Sequence, residues 1–449
     1  MNTFFILSAM PLSNDVTMST PVGWIIPFCL LLLLIATAPL FFSLLWHRSY
    51  KGISIGLGCL VLFYYFFIRK EFFTPVETLL EYFSFISLLT ALFIISGGIF
   101  IDINKSGTAV INTCLLLFGA VLANIFGTTG ASMLLIRPFI RINLGRIKAY
   151  HIIFFIFILS NVGGALTPIG DPPLFLGFLK GVPFFWVLQH CWSPWLFTCI
   201  VLAGIFFVLD KNNSTPSEHL PKHKKMITIT GKQNIVWLLL ILGSVFLDPA
   251  KISWLPAIII EGKKYSYIRE LIMLSVAWVG YKTANKTTLR HNEFSFEPIR
   301  EVAYLFFGIF CTMIPALAKV SEFASSPEGH SFISTNSLYW MTGALSSILD
   351  NAPTYLNFLT AAMSKAGFDI NIHGDVINFC TINSHDLMAI SIAAVFFGAM
   401  TYIGNGPNFM VKSIAEQTGI RMPSFFGYIL KYSLVYLLPV YVVVWWLFV

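Results

Sequence analysis

The stretch from Val22 to Trp46 is 25 residues long and contains no charged side chain. A helix rises about 1.5 Å per residue, so this stretch can cross the hydrocarbon core of a bilayer, which is about 30 Å thick. Lipid offers no partners to backbone amides, so a spanning chain must be helical or form a closed barrel. Because the stretch shows no alternation of polar and apolar residues, it indicates a membrane-spanning helix.

The composition extends this prediction to the whole chain. Hydrophobic residues make up 57% of the 449 residues and charged residues 11%, whereas soluble proteins contain roughly 25% charged residues. A mean hydropathy of +0.78 would leave a soluble domain with more apolar surface than it could bury. These values exclude a water-soluble fold and predict an all-α polytopic protein, integral to the membrane and passing through it several times.

Further apolar stretches recur along the chain, and their number predicts roughly ten to thirteen membrane elements. They lie at about 52–68, 82–101, 109–126, 149–170, 192–209, 233–247, 252–260, 268–281, 301–318, 333–349, 385–404 and 425–449. Several are too short to span a bilayer alone. Short or Gly- and Pro-interrupted segments of this kind are typical of half-helices and re-entrant hairpins.

The polar interval 211–232 divides the chain into two halves. We expect a single membrane domain over residues 1–449, with a first half at 1–210, a polar connecting loop at 211–232 and a second half at 233–449. The net charge is +7, but the basic residues cluster in the short gaps between apolar runs. Basic residues in short loops are typical of membrane proteins, where they orient the chain in the bilayer. We therefore predict that the partner of this basic chain is the lipid bilayer and not nucleic acid.

One segment occurs twice, which indicates an internal duplication. Residues 164–175 read GALTPIGDPPLF, and residues 398–409 read GAMTYIGNGPNF, at an offset of 234 positions without a gap. Apolar bias could match Leu, Ile and Phe by chance. It does not readily produce the shared order of Thr, Gly, acid or amide, and Pro.

The repeated segment should interrupt a helix. Gly170 tolerates non-helical dihedral angles, Asp171 is a favourable N-cap residue, and Pro172 suits the first position of a new helix. Gly404 and Asn405 allow the same break in the second copy. Unwound backbone at membrane depth persists only where it lines a cavity or binds a ligand, and paired broken helices point to a transport site.

Each broken helix follows a second unusual segment. Residues 124–132 read NIFGTTGAS and residues 346–354 read SSILDNAPT, and both contain turn residues. Each therefore predicts the tip of a helical hairpin. The predicted hairpins are at 124–140 and 340–364, and the predicted broken helices are at 149–190 and 385–415.

Two acids lie in strongly apolar surroundings, Asp171 and Asp350. A carboxylate at membrane depth costs about 2.5–3.5 kcal/mol on insertion scales. Both could act as helix caps, and both could also bind a cation or proton that neutralises them. Sodium bound by Asp171 and Asp350 is the corresponding metal-site hypothesis.

Hydroxyl groups, amides and turn backbone cluster around the predicted breaks and hairpin tips. Each polar side chain alone could equally serve helix packing or bond to its own backbone. Together they are candidates to bind an ion or a small substrate. The candidates are Thr128, Thr129, Ser132, Asn161, Thr167, Gly170, Asn351, Thr354, Thr401, Gly404 and Asn405.

Enzymatic signatures are missing from the sequence. It has no HExxH motif, no P-loop, no TVGYG-like filter, and no first glycine for a GxGD motif before Asp171. The seven cysteines are scattered and form no CxxC pair. We therefore expect a protein that is not an enzyme and that uses no cofactor other than sodium or a proton as a coupling ion.

Three segments resemble the ion transporter superfamily: Ser160–Pro172 (SNVGGALTPIGDP), Leu349–Pro353 (LDNAP) and Thr401–Pro407 (TYIGNGP). They are most similar to its sodium/proton antiporter branch and to citrate transporter-like proteins. The resemblance implies two inverted repeats, each with a re-entrant hairpin and a discontinuous transmembrane helix, in a protein that often forms a homodimer. It places the hairpin tips at 127–132 and 350–354.

The resemblance leaves two functions open. Two acids near one site suit a sodium/proton antiporter working by alternating access, with Asp171 and Asp350 as shared ligands. The alternative is a sodium- or proton-coupled carrier of citrate or another organic anion, which would need helix N-termini and hydroxyl groups facing a larger pocket. In either case we expect small ions or a small organic anion as partners and a location in the plasma (inner) membrane.

Overall fold

The structure is a computed structural model, and it describes residues 20–103, 105–213, 227–247, 252, 255–260 and 263–449. Most of the predicted polar loop at 211–232 therefore lies outside the described residues. Helices dominate the described part of the chain, in agreement with the predicted all-α membrane protein.

The helices are numbered in chain order. The α-helices are α1 (Ile26–Phe41), α2 (Ser43–Phe63), α3 (Phe73–Gly97), α4 (Ala109–Ile142), α5 (Ala149–Ile158), α6 (Pro172–Lys180), α7 (Trp186–Lys211), α8 (Gln233–Val245), α9 (Ile268–Thr283), α10 (Lys286–His291), α11 (Glu297–Ala324), α12 (Pro327–Phe332), α13 (Thr335–Ser346), α14 (Asn351–Lys365), α15 (His373–Ile382), α16 (Ser384–Phe397), α17 (Gly406–Gln417), α18 (Phe425–Tyr428) and α19 (Leu438–Phe448). Short 3-10 turns occupy Val22–Ile25, Val162–Gly164 and Gly398–Met400, and π-helical segments occupy Tyr64–Arg69 and Ile429–Leu437.

Seven helical stretches in the described residues are long and apolar enough to cross a bilayer. They are Val22–Pro39, Leu44–Arg69, Phe73–Gly97, Ala109–Ile142, Trp186–Lys211, Glu297–Ala324 and Phe425–Phe448. A further apolar pair, His373–Ile382 and Ser384–Met400, is bent by 95°. The protein is therefore an integral, multi-pass membrane protein.

Four short strands form two small sheets that the sequence did not predict. Phe100–Ile103 (β1) pairs antiparallel with Ile227–Thr230 (β2), and Ile258–Ile260 (β3) pairs antiparallel with Lys263–Tyr265 (β4). The predicted membrane element at 252–260 is thus wrong for its last three residues. Ile258–Ile260 form an isoleucine run whose β-branched side chains favour a strand.

Helix α4 reverses direction in its middle. Gly127 has φ 75° and ψ 156°, a left-handed φ that favours glycine. Asn112 and Asn143 lie on opposite sides of Gly127, yet the Nδ2 of each donates to the Oδ1 of the other at 2.8 Å. In a straight helix these residues would be separated by about 46 Å along the axis. The two halves of α4 are therefore antiparallel and meet at Gly127.

Helices α13 and α14 form a second antiparallel pair. The Lys365 side chain at the end of α14 donates to the carbonyl of Ile333, just before α13 begins. At the opposite end, residues 347–350 form the short connection between the two helices. Below, hairpin 1 denotes α4 and hairpin 2 denotes α13, α14 and their connection.

Two helices are interrupted, as the repeated segment predicts. Helix α5 ends at Ile158, and α6 begins at Pro172 after the 3-10 turn Val162–Gly164. In the second copy α16 ends at Phe397, and α17 begins at Gly406 after the turn Gly398–Met400. Non-helical backbone thus occurs at 165–171 and 401–405, inside the two copies of the repeat.

The two hairpins pack against helices from the rest of the chain. Helix α11 contacts α2, α3 and α14, while α3 also contacts α4 and α9. Aromatic contacts join α3 to α11. The ring centroid of Phe85 in α3 lies 4.8 Å from that of Phe306 and 5.5 Å from that of Phe310, both in α11. Helices α3 and α11 therefore hold hairpin 1 and hairpin 2 beside one another.

Candidate functional site

The two breaks share one backbone conformation. Asp171, at φ −141° and ψ 144°, occupies the N-cap position of α6. Asn405, at φ −147° and ψ 141°, occupies the N-cap position of α17. The offset between them is the 234 residues of the repeat, so local sequence similarity corresponds to local structural similarity.

In each break, a threonine hydroxyl makes the same pair of hydrogen bonds. Thr167 Oγ1 donates to the Asn124 carbonyl at 2.6 Å and accepts from the Gly170 amide at 3.1 Å. Thr401 Oγ1 donates to the carbonyl of Ser347 at 2.6 Å and accepts from the Gly404 amide at 3.0 Å. Each hydroxyl therefore joins a broken helix to the hairpin of its own half, which is a positioning role.

The glycines of the breaks permit very close backbone approach. A Cβ atom on Gly170 would lie 2.1 Å from the carbonyl oxygen of Gly164, and one on Gly404 would lie 2.6 Å from that of Gly398. Gly164 in turn lies against Thr128, and Gly398 lies against the amide of Asn351. Glycine at these positions brings each hairpin tip onto its broken helix.

Asp171 lies at the point where the two halves meet. Its Oδ1 accepts from Thr128 Oγ1 at 2.7 Å and from Asn405 Nδ2 at 3.1 Å, and its Oδ2 accepts from Asn351 Nδ2 at 3.0 Å. The side chain is 1% exposed. One carboxylate therefore contacts hairpin 1, hairpin 2 and the second broken helix.

This arrangement corrects the predicted capping role of Asp171. The residue occupies the N-cap position, but its side chain accepts no hydrogen bond from the start of α6. The Asn405 side chain likewise leaves the start of α17 uncapped. Pro173 and Pro407, at the second position of α6 and α17, have no N–H to donate to a cap. The two side chains instead contact each other, with Asn405 Nδ2 donating to Asp171 Oδ1.

A chain of amides extends the site behind Asn405. Asn405 Nδ2 also lies 3.2 Å from Asn161 Oδ1, and Asn161 Nδ2 donates to Asn408 Oδ1 at 2.7 Å. Asn408 Nδ2 donates to the carbonyls of Gly398 and Thr401 at 2.8 and 2.9 Å. This chain links the unwound backbone of both copies through neutral groups.

Three buried serine hydroxyls lie near the residues that contact Asp171. Ser346 Oγ donates to Asn351 Oδ1 at 2.6 Å, which orients the Asn351 amide toward Asp171. Ser132 and Ser160 lie with their hydroxyl oxygens 2.8 Å apart, both fully buried. Ser132 therefore joins hairpin 1 to the first broken helix without contacting Asp171.

Other predicted residues lie apart from the carboxylate. Asp350 Oδ1 accepts from the Ala352 amide at 3.0 Å and so caps α14. Thr354 Oγ1 donates to the Asp350 carbonyl at 3.0 Å. Thr129 lines a cavity next to the tip of hairpin 1. None of the three makes a described hydrogen bond to Asp171.

Asn124 is a residue that the sequence analysis did not single out. Its Nδ2 donates to the carbonyl of Gly163 at 2.7 Å, and its Oδ1 accepts from the Leu166 amide at 2.9 Å. It thereby satisfies backbone groups that the break leaves without helical partners. Its position at the start of the predicted hairpin tip, residues 124–132, is the sequence feature that could have identified it as a functional residue.

Four helix starts converge on Asp171. The second half of α4 begins at Thr128, α6 follows Asp171, α14 begins at Asn351, and α17 follows Asn405. The positive end of a helix dipole points outward at each start. The site therefore favours negative charge, and the carboxyl group of Asp171 already lies there.

The space beside Asp171 is small. A cavity of about 80 Å³ lies between the tip of hairpin 1, the start of α6 and residues of α3 and α11. Thr128, Thr129 and Gly170 contribute to its wall. Asp171 itself does not line the cavity, and the cavity is smaller than the pockets of about 300–1,000 Å³ that usually hold drug-sized molecules.

The described residues form no group of three or more His, Cys, Asp or Glu side chains suited to a metal ion. No lysine, arginine or histidine makes a described hydrogen bond to Asp171. Its described partners are one hydroxyl, Thr128 Oγ1, and two amide nitrogens, those of Asn351 and Asn405.

A second polar cluster lies at the base of hairpin 1, where the first and last turns of α4 are adjacent. Asp210 Oδ1 lies 2.8 Å from Arg146 Nη2, and its Oδ2 accepts from Asn112 Nδ2 at 2.8 Å. Tyr150 donates to Asp210 at 2.8 Å. The Asp210 and Arg146 side chains are 0% and 6% exposed. This buried ion pair ties α4, α5 and α7 together away from Asp171.

Seven long apolar stretches surround two broken helices whose starts meet at a buried carboxylate. Broken helices at corresponding positions of two halves are typical of membrane transporters. The model of the family described as "Putative citrate transport" matches residues 17–449. The chain belongs to this family and is a membrane transporter. No curated protein matches the chain.

Proposed function

We propose that the protein is a secondary active transporter that couples the movement of citrate or a similar organic anion to sodium ions or protons. The family match over residues 17–449 supports the substrate class. The observation that carries the proposal is the convergence of four helix N-termini and several amide donors on one buried point, since such groups bind carboxylates.

The coupling cation would bind at Asp171. Its carboxylate would otherwise repel an organic anion placed at the same helix starts. A sodium ion or proton that neutralises Asp171 would free the donors of Thr128, Asn351 and Asn405 for the substrate. Binding would therefore be ordered, with the cation first and the anion second.

Transport would proceed by alternating access. The cavity of about 80 Å³ is too small for a tricarboxylate, so the tips of hairpin 1 and hairpin 2 would have to separate to admit it. We propose that both hairpins are re-entrant and that the two copies of the repeat have inverted orientations in the membrane. Each half would then open the site toward one side.

Sodium/proton antiport is the second candidate. The small cavity and the absence of described cationic hydrogen-bond partners for Asp171 favour it. In that cycle sodium and protons would compete for Asp171 alone. Asp350 would contribute through the helix start that it caps. A homodimer in the plasma membrane is the proposed assembly for either function.

The test uses purified protein in sealed proteoliposomes. Uptake of labelled citrate would be measured under an inward sodium gradient, an inward proton gradient, or neither, for the wild type and Asp171→Asn. We expect gradient-driven uptake by the wild type and loss of at least about tenfold in the variant, which corresponds to about 1.4 kcal/mol. Asp102→Asn, at an exposed ion pair, is the matched control.

The two candidates give opposite results in the same vesicles. Sodium-driven pH change without citrate, abolished in Asp171→Asn, would establish antiport and overturn the carrier proposal. Citrate uptake that depends on a cation gradient, without such a pH change, would support the carrier. Uptake that Asp171→Asn leaves unchanged would remove Asp171 from the coupling site.

A further inference from the structure

A large apolar crevice lies along hairpin 2, and none of the residues that contact Asp171 lines it. Its volume is about 530 Å³. Helices α1 and α11 form one wall, and α13 and α14 form the other. It extends along hairpin 2 from Ile333 at the base to Leu349 and Pro353 at the tip.

The chemistry of the crevice favours an apolar occupant. No charged residue lines it. Three polar side chains reach it, and each donates to a carbonyl of its own hairpin region: Ser337 to Phe332, Thr354 to Asp350, and Asn357 to Pro353. The crevice therefore offers little to a carboxylate substrate, and its occupant should gain from burial of hydrocarbon.

The crevice opens onto the surface that faces lipid. Leu33, Phe323 and Leu345 line it and are 57%, 49% and 42% exposed. Helices α1 and α11 belong to stretches long and apolar enough to span the bilayer. The only apolar solvent at such a surface is the acyl-chain region of the membrane.

The dimensions also match one leaflet. The lining residues extend from Ile25, at the end of the 3-10 turn before α1, to Leu33 of α1, and from Pro353 to Ala361 of α14. Each set covers about 12 Å at 1.5 Å per residue. One leaflet contributes about half of the 30 Å hydrocarbon core. At this length, a volume of about 530 Å³ accommodates extended hydrocarbon such as the acyl chains of a phospholipid.

We propose that an acyl chain of a bilayer phospholipid occupies this crevice between α1, α11 and hairpin 2. The chain would enter sideways from the lipid and fill the space behind the hairpin. This site is separate from Asp171 and does not depend on which substrate the protein carries. Because the crevice reaches Leu349 and Pro353, on either side of Asp350, its occupant would also support the tip of hairpin 2.

The test places the protein in liposomes containing a phospholipid with a photoactivatable diazirine in its acyl chain. After illumination, labelled peptides are identified by mass spectrometry. We expect labelling on the crevice-facing residues of α1 and α14 in the wild type. Met341→Trp should fill the crevice and reduce this labelling at least fivefold, while Ala344→Trp, exposed on the same helix, should leave it unchanged.

A second pair of variants keeps the test decisive if Met341→Trp fails to fold. Val320→Trp points into the crevice from α11, and Ala318→Trp is exposed on the same helix. Equal labelling in the filled and control variants would overturn the proposal. So would labelling of α1 and α14 that appears only after deletion of residues 2–19, since this chain itself would then be the occupant.

Discussion

At the scale of single residues, Asp171 and Asn405 are equivalent positions with different side chains. They occupy the same N-cap conformation, and their side chains contact each other at 3.1 Å. The site therefore contains one carboxyl group where symmetry of the repeat would give two or none. Two carboxylates at that distance could not both be ionised without strong repulsion.

This asymmetry predicts the outcome of exchanging the two residues. Asn405→Asp should reduce cation-driven transport by at least about tenfold, or about 1.4 kcal/mol, because the second carboxylate repels the first. Asp171→Asn should lose coupling because no ionised group remains. The exchanged double variant keeps one acid and one amide and should exceed both single variants in uptake measured in proteoliposomes.

A double variant no better than the worse single variant would contradict this expectation. It would mean that the partners of Asp171 in hairpin 1, rather than the pair itself, determine coupling. Asn408→Asp, two steps from Asn405 along the amide chain, serves as a control for adding a carboxylate near the site without placing it against Asp171.

The sequence patterns selected residues that lie together in the structure, but they did not indicate how the side chains are oriented. Asp171, Asn405, Thr128 and Asn351 all stand in segments selected for their turn chemistry, and the structure brings them together. Capping preferences describe a residue and its own helix, so they could not reveal that Asp171 bonds across to the other half. Such long-range contacts depend on how hairpins and broken helices pack.

At the scale of elements, the breaks depend on glycine at the crossing points. Gly170→Ala should destabilise the protein by about 1–3 kcal/mol, as overpacking does, because the new Cβ would lie 2.1 Å from the Gly164 carbonyl oxygen. Thermal unfolding in detergent would measure the loss. Gly204→Ala in α7 has nothing within 4 Å and should cause no loss.

The base of hairpin 1 depends on its buried ion pair. Asp210→Asn would leave Arg146 buried without its carboxylate, at a cost of about 3–5 kcal/mol. Asp102→Asn removes the partner of Arg141 at an exposed ion pair, which is worth about 0–1 kcal/mol. The two unfolding midpoints should differ accordingly, and equal midpoints would show that Arg146 finds another partner.

Sequence patterns predicted these elements unevenly. The repeat located the starts of α6 and α17, because Gly, Asp, Asn and Pro have strong local preferences. It did not locate the end of α5, which lies at Ile158, before the repeated segment begins. The short strands β1–β4 were missed, since three- and four-residue strands carry too little periodicity. Asp210 was assigned to the edge of a polar loop because its partner Arg146 is distant in sequence.

At the scale of the whole molecule, the two hairpins have different surroundings. A buried ion pair closes the base of hairpin 1, and α3 packs against it. Hairpin 2 has an apolar crevice of about 530 Å³ along one side. No charged residue lines that crevice, so filling or emptying it breaks no ion pair there, although hydrogen bonds from Asn351 and Thr401 still join hairpin 2 to the broken helices.

Helix α6 is also tied to the surrounding helices. Lys180 at its end lies 2.8 Å from Glu81 of α3, and both side chains are largely buried. A rigid displacement of the broken helices relative to α3 would have to separate this pair. Movement of hairpin 2 alone would leave the pair intact, which favours opening of the site from the side of hairpin 2.

Cysteine accessibility tests opening of the site in the whole protein. In a background with the seven native cysteines replaced by alanine, Thr129→Cys would place a thiol in the cavity beside Asp171. If the hairpin tips separate during transport, a membrane-impermeant thiol reagent should label it faster when sodium or citrate is present and slower when Asp171 is also replaced by Asn. Thr113→Cys, on the same hairpin but away from the cavity, should react at a rate that neither ligand changes.

Equal rates at Thr129→Cys with and without ligand would show that the tips do not separate, and the alternating-access proposal would then be wrong for this site.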